Sequence, residues 1–210
     1  MSIADIRQEY ERAGLQESEV ASDPLLQFEA WFQDAIAAGV PMPNAMALAT
    51  ADSAGRPTAR AVLLKGFGPG GFVFYTNYQS RKGRELAANP YAGLLFCWEE
   101  LERQVRIDGR AERIPESESD EYFVTRPRGS RLGAWASPQS EVIPDGALIE
   151  SRLAEAERRF GDRVPRPPHW GGFRMIPAEI EFWQGRPNRL HDRIRYRRED
   201  TAWKIERLAP

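Results

Sequence analysis

The chain is short of cysteine, histidine and lysine, and each shortage excludes something. Its one cysteine, Cys97, cannot form an internal disulfide, so the fold must rest on a packed core. Cys97 lies in the apolar run 93–98, Gly-Leu-Leu-Phe-Cys-Trp, and is read as a buried structural thiol. The two histidines, His169 and His191, stand far from Cys97 and from each other, without the spacing of a zinc site, and no metal is expected. No apolar run reaches the length of a membrane span, and the opening residues carry charge of both signs where a secretory signal would be apolar. A cytoplasmic protein without membrane contact is expected. Lysine is the third shortage: Lys65, Lys82 and Lys204 stand against 26 arginines. With a formal net charge of −2, the excess of arginine is not the basic footprint of a nucleic-acid binder. Two readings of it remain: a codon bias that replaces surface lysine throughout a proteome, or guanidiniums placed to bind oxyanions bidentately.

What is present is the patterning of one α+β domain. An opening helix is expected over residues 2–13. A second follows Asp23, a plausible N-cap with Pro24 at the first helical position, and Leu25, Phe28, Trp31, Phe32 and Ile36 recur along it at helical spacing as a core face. These residues 1–40 form an N-terminal helical segment packed on the rest. Beyond Pro43 the period shortens to short β-rich runs at 45–51, 57–65, 71–76, 91–98 and 103–113, separated by Gly-rich turn signals. Helices are expected at 80–88, with Ser80 as N-cap, at 116–125 and at 146–160, and strands return at 180–183 and 202–208. Short strands joined by tight turns predict a mostly antiparallel barrel with peripheral helices.

Charge is segregated along this layout. Residues 99–121 hold nine acids against four arginines, which reads as a solvated face. Residues 186–198 hold six arginines against Asp192, alternating with Leu, Ile and Tyr as in a strand with one cationic face. Three segments then place cations where a phosphate would want them. In Arg60-Ala-Val-Leu-Leu-Lys65 the two cations point to opposite faces of a strand unless a bulge or the strand end re-aims one. In residues 74–83 a strand runs into a hydroxyl-rich turn, and a helix begins at Ser80-Arg81-Lys82, where free N–H groups and the dipole favour an anion. In residues 122–130, Tyr122 and Arg126 share a helix face before Pro127 ends the helix, and Ser130 falls on a Gly-containing turn. Each segment alone is equally explained by a solvated surface or a capped helix end.

Classical catalytic machinery is not evident. The chain has no Gly-x-Ser-x-Gly elbow, no P-loop and no Gly-x-Gly-x-x-Gly after a strand. Several oxyanion sites without a nucleophile, metal or nucleotide loop point to a phosphorylated organic cofactor that carries the chemistry.

An ordered set of motifs then resembles the pyridoxamine/pyridoxine 5′-phosphate oxidase family across nearly the whole chain. It includes Arg-Ala-Val-Leu-Leu-Lys, Phe-Tyr-Thr-Asn, Ser-Arg-Lys, Leu-Glu-Arg-Gln-Val, Tyr-Phe-x-x-Arg-Pro, Trp-Gly-Gly-Phe-Arg, Ile-Glu-Phe-Trp-Gln-Gly and Arg-Leu-His-Asp-Arg. The resemblance implies an FMN-binding split β-barrel and a homodimer with two FMN sites at the subunit interface, each built from both chains. FMN would be held by Arg60, Val62, Leu63, Leu64, Lys65, Tyr75, Thr76, Arg81, Lys82, Gln104, Gln139, Ser140, Trp183 and Arg193. The substrate phosphate would be gripped by Lys65, Tyr122, Arg126 and Ser130. Arg189, Leu190 and His191 would lie over the substrate ring, with Arg189 and His191 the catalytic pair, and the N-terminal Arg7 and Tyr10 would approach the substrate.

The implied reaction is oxidation of pyridoxine 5′-phosphate or pyridoxamine 5′-phosphate by O₂ to pyridoxal 5′-phosphate and H₂O₂, with ammonia also released from the amine. Two alternatives carry different expectations. A related split-barrel flavin or deazaflavin reductase would lack the substrate phosphate grip, and a non-catalytic pyridoxal phosphate binder would lack oxidation.

Overall fold

The computed structural model describes residues 2, 3, 9, 10 and 14–210; Arg7 and most of the opening helix expected over 2–13 lie outside the described residues, and Glu9 and Tyr10 within that span are not helical. Helix α1, Pro24–Ala37, starts as its sequence requires: the Asp23 carboxylate accepts a hydrogen bond from the Leu25 N–H at 2.8 Å, and Pro24 occupies the first turn. Phe28, Trp31 and Ala35 form its buried stripe, with Leu25 and Phe32 at the margin. Ile36, expected in the core, is 49% exposed, because at 100° per residue it lies well off the line through Phe28, Trp31 and Ala35.

Among the described residues, nine strands make one antiparallel sheet: β1 (Ala45–Ala51), β2 (Pro57–Leu63), β3 (Gly66–Gly68), β4 (Gly71–Asn77), β5 (Tyr91–Trp98), β6 (Arg103–Arg113), β7 (Trp170–Gln184), β8 (Asp192–Glu199) and β9 (Ala202–Arg207). Their order is β2-β1-β5-β6-β7-β4-β3, with β8 and then β9 branching from β7. The strand expected at 57–65 ends two residues early, because the chain leaves β2 at Leu63 and crosses to β3 at the far end of the sheet. There the Lys65 N–H donates to the Val73 carbonyl at 2.8 Å. The sheet is thereby curled into a half-barrel.

Strand β7 is the fork. Along one edge its residues 170–175 pair with β4 and its residues 179–184 with β8, while β6 runs along the other edge. The register slips at Asp108/Gly109, opposite the point where the partners change. Gly109 is required there, since a Cβ would run into the Ile176 carbonyl and lie 3.0 Å from the Pro177 Cα.

Helix α2 (Arg81–Ala88) follows β4, with the Ser80 hydroxyl accepting from the Gly83 N–H as expected. Helices α3 (Glu116–Thr125), α4 (Arg128–Ala136) and α5 (Ala147–Phe160) lie between β6 and β7. Two expectations about this stretch are corrected. Arg126 lies just beyond α3 with extended backbone (ψ 145°), since Pro127 disfavours a helical residue before it. Ser130 lies in the first turn of α4 and not on a turn, because Pro127 starts a new helix as it stops the old one. The acidic segment is a solvated face as expected: none of the nine acids between 99 and 121 is buried.

Phe28 sits at the centre of the main core, with the rings of Phe67, Phe72 and Phe96 edge-on at 4.9, 5.0 and 5.1 Å. Cys97 is not part of this core. In β5, Leu94, Phe96 and Trp98 face inward, so strand alternation turns Leu95 and Cys97 to the outer face, where both are exposed. The core reading of Phe28 predicts that Phe28→Ala costs about 3–5 kcal/mol of stability, measured by urea unfolding. A loss under about 1 kcal/mol would show that α1 does not close the barrel.

Candidate active site

The sheet fails to close, and the gap becomes a site. Strand β3 is only three residues long, so it covers β4 only as far as Val73. From Phe74 onward that edge of β4 has no strand partner among the described residues, and β2 is the outermost strand at the other end of the sheet. The two free edges face each other across a cavity of about 500 Å³. Ala61, Val62 and Leu63 line it from β2, Tyr75, Thr76 and Asn77 from β4, and Lys82 from α2. Tyr122, Arg126, Ser130, Gln139 and Trp170 close the far side. Unpaired backbone on two strand edges gives such a cavity the amide groups with which to hold a planar heterocycle by its polar rim.

Two polar clusters mark its ends. Near α2, the Lys82 ammonium donates to Thr76 Oγ1 at 3.2 Å and to Gln139 Oε1 at 3.5 Å. Burial pulls the Lys82 pKa down, and the Arg60 guanidinium pushes the same way. At the other end, Tyr75 is stacked with both Tyr122 (3.9 Å between centroids) and Trp170 (5.4 Å), which are themselves near-parallel at 6.2 Å, and the Arg126 guanidinium lies 4.5 Å over the Trp170 ring. Burial raises the Tyr75 phenol to about 12, so it stays protonated. Arg126 Nη1 is buried without a hydrogen-bond partner among the described residues. A guanidinium N–H left in this way, with Ser130, Tyr122 and Lys65 on the same wall, fits an oxyanion as its missing acceptor.

The cavity gathers ten of the carried-over candidates: Val62, Leu63, Lys65, Tyr75, Thr76, Lys82, Gln139 and the phosphate trio Tyr122, Arg126 and Ser130 share its walls. Others do not line it. Leu64 is in the core at 5% exposure, and Ser140 stands in the exposed turn beyond Gln139 at φ +75°. Arg60 and Arg81 bracket Glu85 on the outer side of β2 and α2.

A further group lies elsewhere on the chain. Gln104 pairs in register with Trp183, and Trp183 with Arg193, so the three form one row across β6, β7 and β8. They line a separate cavity of about 310 Å³ with Leu95, Arg106, Glu181 and Pro210. Arg193 is held there by Glu181, 4% exposed, which takes the Arg193 Nε–H at 2.7 Å and lies 3.1 Å from Arg106. Beside this row, His191 packs 4.5 Å from Trp183, and Tyr10 is edge-on to both at 5.6 and 5.7 Å. The His191 Nδ1 accepts from the Arg186 N–H at 3.2 Å, which leaves the proton on Nε2. Burial lowers its pKa, and Arg189 lowers it further. Arg189 and Leu190 are exposed, on a turn in which Asn188 and Arg189 have φ of 57° and 60°.

Sequence reasoning missed Trp170, Glu85 and Glu181. Trp170 opens Trp-Gly-Gly-Phe-Arg, and a motif gives no sign that its first residue will stack under Arg126. The two glutamates are invisible in sequence, since only the fold shows that their carboxylates are buried against arginines.

Residues 32–160 match the family described as pyridoxamine 5′-phosphate oxidase, and residues 170–210 match the pyridoxine 5′-phosphate oxidase C-terminal dimerisation region. A pyridoxine/pyridoxamine 5′-phosphate oxidase of Burkholderia thailandensis is 59% identical, covering 100% of this chain and 99% of that one; one from Burkholderia mallei is 58% identical over the same shares. Among solved structures, PhzG from Burkholderia lata in complex with tetrahydrophenazine-1-carboxylic acid superimposes with a TM-score of 0.90 at 34% identity, covering 97% of this chain and 100% of that one. A pyridoxamine 5′-phosphate oxidase-related, FMN binding protein from Nostoc punctiforme shares the fold, with a TM-score of 0.72 at 19% identity over 91% of this chain and 100% of that one. With its half-barrel sheet, its seam cavity and a full-length match at this identity, the chain belongs to the pyridoxamine 5′-phosphate oxidase family.

Proposed function

We propose that this chain is a pyridoxine/pyridoxamine 5′-phosphate oxidase, working as a homodimer in which each FMN lies between two protomers. The observation that carries the reading is the composition of the seam cavity. Flavin-binding candidates and the phosphate trio, scattered from Val62 to Gln139 in sequence, line one space. A flavin or deazaflavin reductase has no use for the trio.

FMN, when bound, supplies the two-electron acceptor that no side chain of the protein provides. Its fit rests on the donor set: the free edges of β2 and β4 for the ring system, and Lys82, Thr76 and the start of α2 for the phosphate. The chain's own residues do the positioning. Lys65, Tyr122, Arg126 and Ser130 would hold the substrate phosphate. The stacked wall of Tyr75, Tyr122 and Trp170 excludes water beside it. Arg189 and His191 would be brought over the substrate ring by the partner protomer, with His191 neutral at pH 7. Holding reactants in line in this way is worth up to about 7–11 kcal/mol of barrier. The need for a partner follows from the two separate cavities: Gln104, Trp183 and Arg193 do not line the seam of their own chain, and residues 170–210 match a dimerisation region.

The direct test is O₂ uptake by the FMN-loaded protein on addition of pyridoxine 5′-phosphate or pyridoxamine 5′-phosphate. Binding without O₂ uptake would leave a pyridoxal phosphate binder, and a protein that cannot be loaded with FMN would overturn the oxidase. Two substitutions separate the roles. Arg126→Ala should raise KM for the phosphorylated substrate by an amount equal to about 2–5 kcal/mol. Arg189→Ala should lower turnover while FMN occupancy stays near that of the wild type; parallel loss of both would place Arg189 at the flavin. The shared site has its own check. Co-refolding Lys82→Met with Arg193→Met, each inactive alone, should restore about a quarter of wild-type activity, since half the dimers carry one intact site. No recovery would place both residues in one chain's site.

A further inference from the structure

Glu85 is out of place. It is an acid in the first two turns of a helix whose start is otherwise cationic, in the part of the molecule where the reading above puts a phosphate. It is only 6% exposed. A carboxylate there repels an anion, so something must offset its presence. Its contacts show what it does. Oε2 accepts from the Thr50 and Thr58 hydroxyls at 2.5 and 2.6 Å and from Arg60 Nη2 at 3.2 Å, and Oε1 accepts from Arg81 Nε at 2.8 Å. Burial alone would raise its pKa, but these four hydrogen bonds outweigh burial and hold the carboxyl down to about 2. It is therefore charged at every working pH.

Three elements meet at this carboxylate. Thr50 belongs to β1, Thr58 and Arg60 to β2, and Arg81 and Glu85 to α2. Arg60 is fixed further, donating to the Leu48 carbonyl at 3.1 Å and to the Thr50 and Thr58 hydroxyls. The next residue along α2 from Arg81 is Lys82, which reaches the cavity. Left to themselves, Arg60, Arg81 and Lys82 would repel one another. Glu85 lets them stand together and leaves the cluster with three cations and one anion, a net +2 that matches a phosphate monoester, largely dianionic at pH 7.

We propose that Glu85 is a positioning residue for the phosphate end of the cofactor, pinning the start of α2 to β1 and β2 and orienting Arg60 and Arg81 without touching the ligand itself. The inference rests on the FMN reading above. It goes beyond it by assigning a role to an acid that no phosphate-binding pattern would select.

The sign of one measurement decides it. If Glu85 acted through charge alone, Glu85→Gln would remove a repulsion and tighten FMN. If it positions, the same isosteric change weakens FMN. Apoprotein is titrated with FMN and, separately, with riboflavin, which lacks the phosphate, following flavin fluorescence. For Glu85→Gln the FMN Kd should rise about 10- to 100-fold, the cost of losing charge-assisted hydrogen bonds, with the riboflavin Kd unchanged. Thr58→Val, which removes one hydrogen bond to Glu85 and the Thr58 acceptor of Arg60 while keeping the Glu85 charge, should shift FMN in the same direction by less, and decides the matter if Glu85→Gln does not fold. An FMN Kd equal to or tighter than wild type, or equal weakening of FMN and riboflavin, overturns the positioning role. A wild-type chain that binds neither flavin overturns the cofactor reading and this proposal with it.

Discussion

The structure turns on a sheet that cannot finish closing. Antiparallel strands curl into a barrel when every edge finds a partner, and an unpaired edge is normally a hazard for a soluble protein. Here β3 ends after Gly68, so among the described residues β4 keeps an unpaired edge beyond Val73, and β2 does not pair with it. What would be a defect becomes a slot with backbone amides on both sides. Helices α2, α3 and α4 border this slot, and their termini bring in charged side chains that the lining strands do not carry. α2 contributes Lys82 at its first turn, and the α3–α4 junction contributes Arg126 and Ser130.

The second constraint is how so many arginines are kept in a chain of near-zero charge. Half of them pair with carboxylates among the described residues, as in the partly exposed ladder of Arg195, Arg197 and Lys204 with Glu179, Glu199 and Glu206 across β7, β8 and β9, an arrangement worth little to stability. Two buried carboxylates behave differently. Glu85 holds Arg60 and Arg81 beside one cavity, and Glu181 holds Arg193 and Arg106 at the wall of the other. Breaking such a pair leaves a buried charge uncompensated, so the guanidiniums have little freedom to turn away. Arg126 is the contrast: it has an aromatic ring beneath it and an N–H without an acceptor among the described residues. The codon-bias reading of the arginines therefore suffices for the surface and fails for these few.

Much of this was legible in the sequence where local rules act alone. The Asp23 and Ser80 caps, the helix over 116–125 and the strand limits at 45–51, 91–98 and 103–113 follow from capping, periodicity and turn chemistry, and the structure has them. The errors fell where tertiary context overrides them. Cys97 sits in an apolar run, but strand alternation sends every second residue outward whatever its neighbours. Ile36 keeps helical spacing with Phe28 but lies off the buried stripe, and Ser130 was read from a glycine beside it when Pro127 had already begun a helix.

The sequence by itself determined most of the elements, the fold class and, through an ordered set of motifs, the family, because capping, side-chain period and motif order are properties of neighbours in the chain. Only the tertiary structure decided which candidates share a site. It set Val62, Tyr75, Lys82, Arg126 and Gln139 on one cavity, and aligned Gln104, Trp183 and Arg193 in a row on another face. It also revealed the two carboxylates that hold the arginines. The physical reason is that register and curvature bring together residues far apart in sequence, and the burial of a charge is a property of what surrounds it.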